Sequence, residues 1–243
     1  MRKIFIILML SVFSIVTAHP FKSEKELYEY YAEIDKKIFT EKNKPIIRKK
    51  YPRKLTDKEL EQEQIPFSLK RYTVDEIVGN NKLVYNAFNY QLMSISQINE
   101  NNKEEGVIRT FDEDENLISI AYIENSKGVM GIYREYYPWG VLKNETPYYT
   151  SEINGKLKNY YPDGLLKEEY TYYNNKKEGL ATMYYESGQK FAIENYKNDL
   201  KNGDYYMYYE NGTLGMKAFF VNGKRKGTIE FYEEDGKKIE KNK

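Results

Sequence analysis

The sequence predicts an all-β protein: an elongated array of stacked antiparallel β-hairpins with a 24-residue repeat, preceded by a short helical segment and a signal peptide. Three observations carry this prediction. Glycines recur at Gly131, Gly155, Gly179, Gly203 and Gly227, and a second set keeps the same step at Gly140, Gly164, Gly188, Gly212 and Gly236. Between them stands a column of Tyr136, Tyr160, Tyr184, Tyr208 and Tyr232. The residue before the second glycine is Asp163, Ser187, Asn211 or Asp235, so four units place a turn pair between aromatic or apolar runs. Such pairs accept positive φ and mark hairpins. Self-similarity at a fixed period outranks any local reading of helix or strand.

In chain order, Met1-Arg2-Lys3 is a basic start, Ile4 to Val16 is apolar, and Val16-Thr17-Ala18 offers small residues for cleavage. The run is shorter than the ~20 residues that cross a bilayer, so residues 1–18 read as a signal peptide cleaved near Ala18. The expected location is extracytoplasmic: periplasmic, cell-surface or secreted. The chain has no cysteine, which excludes a disulfide scaffold and a lipid-modified cysteine at the cleavage point.

Residues 19–71 form a helical and linker segment. Ser23 and Glu26 make a capping box, and Leu27, Tyr30, Tyr31, Ile34 and Ile38 then share one helical face. Lys44-Pro45 ends the helix, and a second short helical stretch is possible after Thr56. Arg48 to Lys54 is strongly basic and reads as a solvated linker. Residues 72–105 read as a degenerate first repeat, with Leu83, Tyr85, Phe88, Leu92 and Ile98 but without the paired glycines. The regular array covers 106–243. There Phe111 takes the place of the tyrosine, and a tip one residue longer, Asp112 to Asn116, accounts for the 25-residue step from Gly106 to Gly131.

Each unit reads as strand, tight turn at the second glycine, strand, and a wider Asn/Lys turn such as Asn174 to Gly179. Tyr148, Tyr172, Tyr196 and Phe220 form a further column that can stack aromatic rings from unit to unit. Ordering one unit costs ~1–2 kcal/mol per residue, more than its few aromatics return at ~1.5–3 kcal/mol each. Stability therefore comes from stacking neighbours. About twelve strands at ~4.8 Å make a ribbon ~55 Å long.

The chemistry of catalysis is missing from the pattern. The sole histidine, His19, begins the expected mature chain, and no Gly-rich nucleotide motif occurs. The acidic tip Asp112 to Glu115 lacks the ligand spacing and glycine of a calcium loop. No enzyme activity, cofactor or metal is expected. The finely mixed charges, near neutral in sum, argue against a nucleic-acid partner. The candidate binding residues are Tyr136, Tyr160, Tyr184, Tyr208 and Tyr232, with Trp139, the only tryptophan, on a hairpin tip. For the tyrosine column the competing reading is inter-repeat packing.

The units Gly179 to Gly188 and Gly203 to Gly212, each followed by its Asn/Lys turn, resemble the bacterial MORN-repeat variant family, over residues 106 to 239. The resemblance implies a hairpin ribbon serving as scaffold or binding surface, with protein or membrane contacts; some members are labelled antitoxins of toxin–antitoxin systems. The expectation is an exported, non-enzymatic protein-binding or scaffold surface at the cell envelope. The alternatives are an antitoxin or immunity-type protein that binds a toxin, and an envelope glycan or lipid binder. Cell-wall-binding modules with Tyr-Tyr repeats depend on a Trp in each repeat, and this chain has one Trp in total.

Overall fold

The computed structural model describes residues 21–42, 73–86, 91–124 and 127–240. The expected signal peptide with its cleavage point, the basic run Arg48 to Lys54 and the stretch after Thr56 lie outside the described residues.

Helix α1 (Glu24–Lys42) starts as its sequence dictates. Ser23 Oγ accepts the Glu26 N–H at 3.2 Å, while the Glu26 carboxylate reaches back to the Lys22 N–H at 2.7 Å. The orphan donors of the first turn are thereby satisfied. Leu27, Tyr31, Ile34 and Ile38 are each 4% exposed or less, so the stripe read from the sequence is the buried one.

The strands follow in order: β1 (Thr73–Val78), β2 (Asn81–Asn86), β3 (Leu92–Ile98), β4 (Glu104–Phe111), β5 (Leu117–Glu124), β6 (Gly128–Tyr136), β7 (Leu142–Tyr149), β8 (Glu152–Ile153), β9 (Gly155–Tyr160), β10 (Leu166–Tyr173), β11 (Lys176–Tyr184), β12 (Lys190–Lys197), β13 (Leu200–Lys201), β14 (Gly203–Tyr208), β15 (Leu214–Val221) and β16 (Lys224–Phe231). Fourteen of them hydrogen-bond in chain order in one sheet, with β8 and β13 as short additions to β7 and β12. The count exceeds the expected twelve or so. Residues 73–98 alone contribute three hairpin-linked strands, with a small core of Leu83, Tyr85, Leu92 and Ile95 against Val78 and Phe111.

Two expectations about the turns are corrected. The tight turns are not at the second glycines but at the Asn/Lys segments. Asn174-Asn175, Asn198-Asp199 and Asn222-Gly223 have positive φ at both residues, and Tyr173 pairs directly with Lys176 across the first of them. This is the two-residue hairpin geometry whose twist matches its strands. The Asp163-Gly164 type of tip is the wider one: the Gly164 N–H donates to Tyr161 O at 2.9 Å and the Tyr161 N–H to Leu165 O at 2.8 Å. Gly164, at φ 93°, takes the left-handed position of a three-residue loop. The first glycine set lies inside the strands, at register shifts such as the one between Tyr170 and Tyr172 opposite β11.

The second correction concerns the 25-residue step. Phe111 pairs with Leu117 and Tyr136 with Leu142, so the acidic tip has the same length as the next one. The extra residue lies in the connection from β5 to β6, because Ile123 opposes Gly106 and Tyr148 opposes Gly131, and Gly131 follows Ile123 by eight positions whereas Gly155 follows Tyr148 by seven.

Side chains alternate between two faces. On one, ring pairs link the strands, Tyr133 with Tyr148 and Tyr205 with Phe220 on neighbouring strands and Tyr170 with Tyr196 across β11. Lys177 and Lys201 lie over these rings. On the other face lies α1.

Candidate functional site: the helix-bearing face of the ribbon

α1 crosses the strands along the ribbon axis, and the first glycine set makes the track it lies in. Ile34 sits over Gly131, where an added Cβ would come within 2.6 Å of its Cγ2. Tyr28 sits over Gly155, with its Oη 3.1 Å from the equivalent point. The Tyr28 Oη accepts the Lys156 N–H at 2.8 Å, and Tyr31 Oη donates to Asn154 O at 2.8 Å. Two helix phenols thus satisfy backbone groups on both sides of the Gly155 bulge. Ile34 and Ile38 close a core with Val107, Ile120 and Met130. Burial raises the pKa of both phenols, that of Tyr28 to about 12.

The electrostatic link is Arg134. Its guanidinium grips Asp35 of the helix with two bonds of 2.8 and 2.7 Å and donates Nε to Glu145 at 3.2 Å. Burial alone would lower the pKa of Arg134, but the Asp35 and Glu145 charges raise it overall. A bidentate pair of this kind fixes orientation as well as position.

The tyrosine column runs along this same face but meets different surroundings in each unit. Tyr136 packs against the core under the helix. Tyr160, half-buried, donates to Glu145 at 2.8 Å; burial first, then that carboxylate, hold its phenol neutral well above the usual range. Tyr184 and Tyr208 are half-buried beyond the end of α1, and Tyr232 donates to Glu230 at 2.6 Å. Trp139 is 60% exposed, yet its ring stacks on Tyr137 with centroids 4.9 Å apart and its Nε1 donates to Pro162 O at 3.1 Å. It therefore lies on the tip edge, apart from the track.

Sequence reasoning missed three sets of residues. The second tyrosine of each Tyr-Tyr pair bonds one tip to the next: Tyr137, Tyr161, Tyr185 and Tyr209 donate to the carbonyls of Tyr160, Tyr184, Tyr208 and Tyr232 at 2.8–3.0 Å. Their own 24-residue spacing was the available signal. At the opposite edge, the side chains of Ser151, Asn175 and Asp199 each accept an N–H from the preceding unit, those of Val129, Ile153 and Lys177. The third set is the Arg134–Asp35 pair, which no local pattern marks.

Past Gly155 the track continues without the helix. Phe21 turns back onto Tyr30 and Tyr149 at the start of α1, so no described residue covers the face from β10 onward. By register that face carries Leu180, Thr182 and Tyr184 on β11, Ile193 on β12, Tyr206 and Tyr208 on β14, and Phe219 and Val221 on β15. Leu180, Phe219 and Val221 are 47%, 43% and 36% exposed. Among the described residues no group of His, Cys, Asp or Glu is placed to hold a metal ion.

The MORN repeat variant family matches three consecutive stretches, residues 153–175, 177–198 and 201–222. No curated protein matches the sequence. MORN repeats are commonly protein- or lipid-binding modules, and the repeat type is non-catalytic. The matched stretches coincide with β8 to β15, so the chain carries consecutive MORN-variant repeats as part of its hairpin ribbon.

Proposed function

We propose that the protein is an exported, non-enzymatic binding module that holds a protein partner at the cell envelope on the helix-bearing face of its ribbon. The observation that carries this reading is the incomplete cover of that face. α1 buries it over β4 to β9, while beyond β9 the face continues with exposed Leu180, Phe219 and Val221. Apolar side chains grouped on one rigid face favour a macromolecular partner. The basic start and short apolar run of residues 1–18 support export.

The test is crosslinking and pull-down from the native cell after fractionation, with the intact mass of the recovered chain. A chain lacking residues 1–18, found outside the cytoplasm and linked to an envelope protein, is the expected result. A full-length chain in the cytoplasm, bound to a small toxic protein, would replace this reading with the antitoxin one.

A further inference from the structure

The open half of the helix-bearing face has a geometry that restricts what can lie on it. β10, β11, β12, β14 and β15 are interior strands, each hydrogen-bonded on both sides, so an incoming strand finds no free edge along them. A partner on this face must bury side chains against side chains. The face already shows how that is done. α1 places Tyr28 over Gly155 and Ile34 over Gly131, a separation of six residues, or about 9 Å at the helical rise of ~1.5 Å. One repeat advances the ribbon by two strands, about 9.6 Å. Helix rise and ribbon repeat are therefore in step at roughly six to seven residues per unit.

The track keeps its form for one more unit past α1. Gly179 has positive φ like Gly131, and an added Cβ there would meet only Thr171, 3.9 Å away. Its apolar contacts are Leu180 and Ile193 on adjacent strands and Phe219 two strands further on, with Asn195 opposite Leu180 and Asp204 opposite Phe219.

We infer that an amphipathic α-helix of the partner protein lies in this track, continuing the line of α1 across β10 to β15. One of its apolar residues fills the position over Gly179, and others rest on Leu180, Ile193 and Phe219. This inference rests on the protein-binding reading above and specifies its contact.

The test is site-specific photo-crosslinking in the full chain, with a benzophenone amino acid at position 180, at 219, or at 139 on the tip edge. The crosslinked segment is mapped and made as a peptide. The expected result is one partner segment caught from positions 180 and 219 but not 139. Its peptide becomes helical on binding and loses at least tenfold in affinity to Leu180→Asp or Phe219→Asp. Leu165→Asp, on an exposed tip outside the track, leaves affinity unchanged. Capture from position 139 alone would overturn the helix track while leaving a protein-binding module intact. Crosslinks to lipid, to a second copy, or to residues 4–16 of the same chain would overturn it as well, and so would a peptide that binds without becoming helical. Because both Asp substitutions are at exposed positions, an unchanged melting curve confirms that lost affinity is not lost folding.

Discussion

Gly131→Ala should release α1 from the ribbon, and the repeat supplies its own control in Gly179→Ala. Both glycines sit in strands with positive φ, 79° and 91°, so each substitution incurs left-handed backbone strain of ~1–2 kcal/mol. At Gly179 that is all, since the nearest atom to a new methyl is 3.9 Å away. At Gly131 the methyl would lie 2.6 Å from Ile34 Cγ2, and 3.2 and 3.3 Å from its Cβ and Cδ1. Ile34 is 2% exposed and β-branched, so it has little room to rotate away. Overpacking adds ~1–3 kcal/mol. The expected loss is then about 2–5 kcal/mol at Gly131 against about 1–2 kcal/mol at Gly179.

The assay is urea unfolding of the two variants, with hydrogen exchange of residues 24–38 in native buffer. Protection of α1 should fall in Gly131→Ala and stay unchanged in Gly179→Ala. Adding Ile34→Ala to Gly131→Ala should recover part of the loss in a double-mutant cycle. Equal losses at the two glycines, with α1 protected in both, would refute the idea that the glycine track is what holds the helix.

Three further outcomes follow from the same contacts. Asp35→Ala takes from Arg134, 8% exposed, the bidentate partner it holds beside Glu145; removing a bidentate charged bond should cost about 2–3 kcal/mol in urea unfolding. Tyr161→Phe deletes the 2.8 Å bond to Tyr184 O between two tips and should cost ~1 kcal/mol in the same urea titration. Alkali should detach α1: the Tyr28 pKa is raised by burial to about 12, so its contribution is complete below the unfolded value near 10 and is lost as pH rises through the folded one. Helical circular dichroism should therefore fall between pH 10 and 12, and a signal flat across that window would contradict the burial of Tyr28.

Much of the ribbon was legible because its repeat imposes the same local chemistry many times over. The buried stripe Leu27, Tyr31, Ile34 and Ile38 was equally plain, since a helical period needs only local sequence. The turn types were misread because an Asp-Gly pair is a louder hairpin signal than Asn174-Asn175, although Asn also tolerates the left-handed region at two successive residues. The strand-interior role of the first glycines was hidden for a related reason: positive φ serves a bulge as well as a turn. The docking of α1 lay beyond local pattern, because Asp35 and Arg134 are 99 positions apart and nothing periodic connects them. Within the tyrosine column the period predicted equivalence, yet the helix makes Tyr136 part of a core and leaves Tyr184 and Tyr208 at a solvated face.

That inequality follows from a ribbon with only one partial second layer. A sheet must bury one face against another element to be stable, and here α1 supplies that layer over β4 to β9 alone. Beneath it Val107, Ile120 and Met130 are at most 1% exposed, whereas the fully buried apolar residues from β10 onward are Ala181, Ala192 and Ala218. Alanine contributes little apolar area, so the later units depend on ring pairs, edge hydrogen bonds and their neighbours. Opening should accordingly cost less from β14 to β16 than from β4 to β9, with hydrogen exchange faster at the carboxyl end of the array. A partner seated on Leu180, Ile193 and Phe219 would supply the missing layer and even out that gradient, because binding to the folded state adds its free energy to every opening that must release it. A ribbon protected uniformly without any partner would mean that stacking alone stabilises the open units, and the link between incomplete cover and binding would be lost.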